Sequence, residues 1–423
     1  MHIYFSGVGG VGVGPLAMIA QDADYAVSGS DTHESEMTLS LQARGITVQI
    51  GQDGTQIRAV QKEKAIDWVV YSSALPDDHP ELLFAKENNI KMSKRAEFLN
   101  HFLAEKNLQM IAIAGTHGKT TTSSMLVWLC NQLGIQISYS VGTHLSFGES
   151  AQYAPGSHFF IYECDEFDKN FLEFQPHISA ITSMDYDHPD TYPTQAEYTQ
   201  AFATFAAQSA HLVAWKHTAQ ALGVAQSANA TVLDEADPGI QNIELAGRHV
   251  RQNSWIASQV GHLIFPKHSV TSFAGLLKGF PGSRRRFEQL APGIYSDYAH
   301  HPVEIAATIE MARELNRNVV VVYQPHQNVR QHEIIRESAY RYCFTGAKKV
   351  YWLPTYLSRE KKDLPILSPT ELLNSVTADI QTEYDEMNDT LWQKIKAHAD
   401  HGDIVVAMSA GDLDDWLRTK VTR

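Results

Sequence analysis

Short apolar runs alternate along this chain with stretches in which apolar residues recur every three or four positions, and the alternation restarts three times. Period two marks a strand and period 3.6 a helix, so the pattern predicts strands separated by helices. The first block opens with a strand at 3–6, continues as a helix near 15–21, adds strands at 26–28 and 68–71, and closes with a helix around 96–103. The second block opens with a strand at 110–114 that runs into a helix from 120 to about 133, followed by strands at 159–163 and 178–182 and a helix over 195–208. The third block carries strands at 294–297, 318–323, 348–353 and 403–408. Strands linked by helices of this length build βαβ units and largely parallel sheets. The expectation is an α/β protein of three domains, divided near residues 103 and 282. They are a Rossmann-like 1–103, a central P-loop α/β 104–282 and a Rossmann-like 283–423. Residues 218–281 give the weakest pattern.

A length of 423 residues suits two to four domains, and 43% hydrophobic residues suffice to bury a core in each. The formal charge of −14 argues against a nucleic-acid binder, because phosphate backbones reward a basic face. Arg284–Arg286 is the one short basic run, of a size for a phosphate or carboxylate. The three cysteines Cys130, Cys164 and Cys343 lack CxxC spacing, so neither a disulfide framework nor a zinc site is implied. No signal peptide and no apolar run long enough to span a bilayer are present, which points to the cytoplasm and away from membranes.

Two glycine loops carry the candidate chemistry. Gly7-Val8-Gly9-Gly10-Val11-Gly12 stands between a strand and a helix, with Asp31 at the distance of a ribose-binding acid. That geometry fits any pyrophosphate ligand, a dinucleotide or a UDP-sugar. The second loop, Gly115-Thr116-His117-Gly118-Lys119-Thr120, is a shortened P-loop, since Ile113 occupies the place of its first glycine. Its amides would cradle phosphate, Lys119 would neutralise charge, and the Thr120 hydroxyl would complete a Mg²⁺ sphere. Acidic and imidazole groups follow the next two strands, in Glu163-Cys164-Asp165-Glu166-Phe167-Asp168 and Asp185-Tyr186-Asp187-His188.

Together these motifs resemble the Mur ligases. The resemblance rests on the two glycine loops, the E-x-D-E-x-D segment and Asp187-His188-Pro189-Asp190-Thr191-Tyr192. Three further motifs continue it: Arg285-Arg286-Phe287-Glu288, Asp297-Tyr298-Ala299-His300-His301-Pro302 and Tyr323-Gln324-Pro325-His326. It implies a cell-wall ligase that spends ATP, with Mg²⁺ or Mn²⁺, to join L-alanine or a similar small amino acid to UDP-N-acetylmuramate, acting as a monomer or homodimer. Gly7, Gly9, Gly10, Gly12, Asp31, Ser72 and Ser73 would hold the UDP moiety. Gly115, Thr116, His117, Gly118, Lys119, Thr120, Thr121, His249, Asn253, Arg286 and Asp297 would hold ATP. Thr120, Glu163 and His188 would ligate the metal, and Tyr298, His300, His326 and Arg330 would surround the amino acid. Lys119 and Arg286 would serve phosphoryl transfer, and His300 is the candidate base, with His301 a packing or capping residue.

No lysine lies between His188 and Lys216, where later-acting members carry a carbamylated one, so the branches adding alanine or a whole tripeptide remain. Gln327 stands where the alanine-adding branch carries arginine, and Ser296 replaces the usual first aspartate before Asp297. An NAD-dependent oxidoreductase would use only the first glycine loop and Asp31. A non-catalytic nucleotide-binding module would use only the second.

Overall fold

The computed structural model describes residues 1–188, 191–358, 360, 363–377 and 380–422. Pro189 and Asp190 of the acid–histidine motif lie outside the described residues. The described chain forms three mainly parallel sheets. The first contains β1 (His2–Ser6), β2 (Ala26–Asp31), β3 (Thr47–Ile50), β4 (Trp68–Tyr71) and β5 (Lys91–Lys94), in the order β3-β2-β1-β4-β5. Side chains alternate across it. Ile3 and Phe5 enter the core beneath helix Arg95–Glu105, while Tyr4 packs on the other face with Ile57, Val69 and Leu82. This is how a sheet covered on both faces must read: continuously apolar.

The second sheet contains β6 (Gln109–Ala114), β7 (Ser138–Ser140), β8 (Ala151–Gln152), β9 (Phe159–Glu163), β10 (Ile178–Ile181), β11 (His211–Trp215) and β12 (Ala230–Leu233). Its order is β12-β11-β10-β6-β9-β7-β8, with β8 antiparallel to β7. The third holds β13 (Glu288–Ala291), β14 (Ile294–Asp297), β15 (Val319–Tyr323), β16 (Lys349–Trp352), β17 (Gln381–Tyr384) and β18 (Ile404–Met408). They run β13-β14-β18-β15-β16-β17, with β13 antiparallel to β14. The fold is therefore three-domain α/β, as the pattern predicts.

Two compact units emerge, one spanning Met1–Gln241 with Asn253–Phe280 and the other Asn242–Gln252 with Pro281–Arg423. In the first unit one continuous core joins both sheets, and aromatic pairs such as Phe102–Tyr153 cross between them. In the second unit the segment Asn242–Gln252 is tied to helix Pro302–Leu315. Arg251 grips the Glu314 carboxylate with two N–H bonds of 2.8 and 3.0 Å, and the Gly247 amide adds a third at 3.0 Å. The three cysteines are buried and unpaired. No described helix is long and apolar enough to cross a membrane.

Candidate functional site

The strand order of the first sheet reverses between β1 and β4, and open parallel sheets bind ligands at the carboxyl ends of such strands. The first glycine loop leaves β1 there. Gly7 has φ 83°, a region that favours glycine, and the Gly7 and Val8 amides donate to the Ser30 carbonyl at 2.9 and 3.0 Å. The Gly9 amide donates to Asp31 Oδ2 at 2.7 Å, so Asp31 seats the loop. A Cβ on Gly10 would meet only open space and the Gly7 carbonyl at 3.6 Å; one on Gly12 would collide with the Arg95 guanidinium. Ser72, just past β4, faces Gly7, while Ser73 is exposed.

Beneath this loop lies a cluster that the pattern of residues does not announce. Glu81 is fully buried and accepts hydroxyl bonds from Tyr4 at 2.7 Å, Ser30 at 2.8 Å and Ser6. Gln52 Nε2 adds a bond to the Ser30 hydroxyl at 3.1 Å. Burial, reinforced by the Glu81 charge, pushes the Tyr4 phenol well above its ordinary pKa. Serines in a strand carry no signal of a partner about fifty or seventy residues away. Glu81→Ala leaves three buried hydroxyls without their acceptor, and a loss of about 3 kcal/mol is expected in urea unfolding, with less for Glu81→Gln.

The second loop joins β6 to helix Lys119–Gln132. Gly115 and Gly118 take φ 129° and 84°, and a Cβ on Gly118 would come within 2.5 Å of the Asn253 side-chain oxygen. The Thr116 hydroxyl meets the Asp185 carbonyl and the Tyr198 hydroxyl, each at 2.7 Å, and the His117 amide donates to Ser183 at 2.8 Å. Thr121 stands partly exposed in the first turn. Lys119 Nζ donates to the Gly115 carbonyl at 2.6 Å and to Glu166 at 2.7 Å, with Asp165 at 3.7 Å. Burial opposes the lysine charge, but Glu166 and Asp165 overcome it and hold Lys119 above the usual lysine range. Glu166 itself is raised by burial, with Lys119 opposing.

Of the expected metal ligands, Thr120 donates to Glu163 at 2.8 Å, and the other Glu163 oxygen accepts the Gly142 amide at 2.7 Å. His188 is gathered instead with Asp165 and Glu166, one ligand atom of each lying within 4.8 Å of the others. Asp165 and Glu166 stand among the acidic groups that the sequence places after β9, but the ligand set implied by the resemblance, Thr120, Glu163 and His188, does not include them. Two consecutive residues of that loop, Asp168 and Lys169, have φ of 56° and 57°.

In the second unit, Asp297 ends β14 and binds its own surroundings. Its Oδ2 accepts the Phe287 amide at 2.7 Å, and its Oδ1 accepts the Ala299 amide at 2.8 Å and the Thr308 hydroxyl at 3.3 Å. Burial raises its carboxyl and the Arg286 charge opposes that rise. The Arg286 guanidinium lies 5.1 Å from the Tyr298 ring centre. Tyr298, His300 and His326 converge, with ring centres 5.5 Å (298–300) and 5.8 Å (300–326) apart, and Tyr356 stacks on His326.

His300 Nδ1 lies 3.1 Å from the Tyr298 carbonyl and 3.3 Å from Glu304, both acceptors. The proton therefore belongs on Nδ1, which leaves Nε2 with its lone pair in the neutral ring. His301 caps helix Pro302–Leu315 by accepting the Val303 amide, and Glu304 reaches back to the His301 amide. Arg330, in the first turn of helix Asn328–Arg336, pairs with Glu333 at 3.8 Å. Gln327 precedes that helix at φ 58°.

His249 lies at the start of helix Arg248–Ile264, and burial lowers its pKa to about 4, with Glu304 and Glu314 opposing and Arg251 and Arg286 assisting. The unfolded ring binds its proton more readily than the folded one. Its stabilising contribution is therefore complete above about pH 6.5 and declines as pH falls towards 4, by an upper bound of roughly 3 kcal/mol. Comparing unfolding free energies at pH 7 and 4.5 for the parent and His249→Gln should show a flatter pH dependence in the variant. Parallel curves would contradict this.

Family models match the chain in succession. The Mur ligase catalytic domain covers residues 2–107, the Mur ligase middle domain 113–236, and the Mur ligase glutamate ligase domain 285–411. The chain is 30% identical over 448 residues to a UDP-N-acetylmuramate–L-alanine ligase of Clostridium acetobutylicum, covering 97% of this chain and 95% of that protein. A protein of the same description from Gloeobacter violaceus is 30% identical over 442 residues, covering 97% and 93%. Among solved structures, a UDP-N-acetylmuramate-alanine ligase of Thermotoga maritima superposes with TM-score 0.76 at 22% identity, covering 100% and 99% of the two chains. A murein peptide ligase of Psychrobacter arcticus gives 0.64 at 21% identity, covering 100% and 98%. At such identities the structures speak for the fold, while the sequence relatives and the three successive models speak for descent. By both, the chain belongs to the Mur ligase family.

Proposed function

We propose that this protein is an ATP-dependent ligase of peptidoglycan-precursor synthesis, joining L-alanine or a similarly small amino acid to the carboxylate of UDP-N-acetylmuramate. The observation that carries the reading is a partly buried P-loop lysine, Lys119, in the same compact unit as a second glycine loop seated on Asp31. A chain with two phosphate cradles and a P-loop motif suits an enzyme that consumes ATP while holding a nucleotide-linked substrate. The names of the sequence relatives agree with it. In this reading residues 1–103 take the UDP moiety, 104–282 take ATP and 283–423 take the amino acid, in the cytoplasm.

The Thr120 hydroxyl and Glu163 carboxylate, hydrogen-bonded to each other, are hard oxygen donors that suit Mg²⁺, and His188 with Asp165 and Glu166 would tolerate Mn²⁺. When bound, the metal neutralises phosphate charge. Lys119 and Arg286 do the same from the protein, and the glycine-loop amides orient the anion. A muramyl carboxylate oxygen bonds to the γ-phosphorus as the bond to ADP breaks. The amine nitrogen then bonds to the acyl carbon, phosphate leaves, and the amine proton passes to His300 Nε2. The decisive experiment offers UDP-N-acetylmuramate and MgATP with alanine, glycine, serine or a tripeptide, and identifies products by mass spectrometry. An alanyl product with ADP is expected. Turnover with the tripeptide alone would move the chain to the recycling branch, and absence of any amide product would refute ligation.

A further inference from the structure

Arg95 is the first residue of helix Arg95–Glu105, directly after β5, and so stands at the same carboxyl edge of the first sheet as the loop after β1. Its guanidinium closely approaches Gly12: any Cβ there would overlap its Nη1. Arginine has five N–H donors, and here one of them, on Nε, bonds to the Asn170 side-chain oxygen at 3.1 Å. Among the described residues Arg95 shows no other side-chain hydrogen bond and no ion pair, although it is partly buried. Asp165 feels its charge without pairing with it.

A partly buried guanidinium whose outer donors are spent on no protein group is free to give them to an anion, and a charge-assisted bond of that kind is stronger than one to water. The group is also held in place. Asn170 fixes the Nε edge, which aims the Nη edge towards Gly12, and glycine at 12 is what lets the guanidinium come so close. The end of that loop is where a diphosphate is cradled by backbone amides in this kind of strand–loop–helix turn.

We propose that Arg95 is a direct ligand of the diphosphate of the UDP-linked substrate, with Asn170 its positioning partner. The inference rests on the proposed function and adds to it a charged contact supplied from helix Arg95–Glu105. A diphosphate is favoured over the muramyl carboxylate because the guanidinium borders the glycine loop itself. Charge-assisted contacts of this kind, lost singly, weaken binding by about 10- to 100-fold.

The test is calorimetric titration of the whole protein with UDP, UDP-N-acetylglucosamine and UDP-N-acetylmuramate, comparing the parent with Arg95→Gln, Arg95→Lys and Asn170→Ala. The first two ligands carry a diphosphate and no carboxylate. All three affinities should drop by about 10- to 100-fold in Arg95→Gln. The loss should be smaller in Arg95→Lys, which keeps a charge without the fork, and smaller again in Asn170→Ala. MgATP affinity and melting temperature should stay at the parent values, which a loss of folding would not allow; Arg95→Lys serves as the readout should Arg95→Gln melt early. Parent-like affinities in all variants would overturn the proposal. So would a loss confined to UDP-N-acetylmuramate, which would place Arg95 on the carboxylate. A parent protein that binds none of the three ligands is a different failure, that of the functional reading.

Discussion

Lys119→Ala is expected to abolish ADP release, lowering turnover by about 1,000-fold or more while leaving UDP-sugar affinity unchanged. Lys119 Nζ is pinned between the Gly115 carbonyl and Glu166, and its raised pKa keeps it charged throughout any assay range. Alanine removes the one cation that the P-loop itself provides. It also strands Glu166, a fully buried carboxylate, at a cost of about 3–5 kcal/mol if the charge stays. Glu166 already titrates high because of burial, so without the lysine it rises further and takes up a proton. A carboxyl whose folded pKa is raised stabilises below its unfolded value and loses that contribution as pH climbs through the folded one. The variant should therefore lose stability with increasing pH. Pairing Lys119→Met with Glu166→Gln should restore the melting temperature and leave activity absent, which separates chemistry from folding. Parent-like turnover in Lys119→Ala would remove this lysine from phosphate chemistry.

Asp297→Ala is expected to cost about 3 kcal/mol in the second unit and to lower turnover by about 100-fold. Both carboxylate oxygens are occupied by the amides of Phe287 and Ala299 and by the Thr308 hydroxyl. These bonds fix the segment carrying Arg286 on one side and the one carrying Tyr298 and His300 on the other. Without them three donors, two of them buried, lose their acceptor and two site segments lose their registration, and a misplacement of about 1 Å is enough for a 100-fold loss. Asp297→Asn should fall between, since its amide keeps one accepting oxygen and turns the other position into a donor. Urea unfolding and steady-state ADP release would measure the two effects. Unchanged turnover with full loss of stability would reduce Asp297 to a scaffold residue.

Central strands were legible in the sequence because burial on both faces leaves an apolar run with little ambiguity. Trp68–Tyr71, Phe159–Glu163 and Ile294–Asp297 emerge with the bounds that their patterns suggest. Edge strands escaped. Thr47–Ile50, Lys91–Lys94, Ala230–Leu233, Glu288–Ala291 and Gln381–Tyr384 each border a sheet, and edges carry charged and polar residues that hide the period. The interior strand His211–Trp215 was missed as well, although its run Leu212–Trp215 is as apolar as those that were read. At the site, motifs located the glycine loops, Lys119 and the converging Tyr298, His300 and His326. They could not show that Asp31 seats a loop, that Glu166 holds Lys119 or that Arg95 borders Gly12. Those facts depend on which strands lie side by side, which no local spacing records.

The buried cysteines have a practical consequence. Cys130 and Cys164 belong to the first unit and Cys343 to the second, and burial pushes all three thiols up, Cys130 to about 12. Alkylating reagents attack the exposed thiolate, so the native protein is a poor target. Modification must wait for each neighbourhood to open, and its rate becomes a clock for that opening. The chain thus carries built-in reporters in both units, able to tell by peptide mapping which half breathes more often and which half a bound nucleotide quiets.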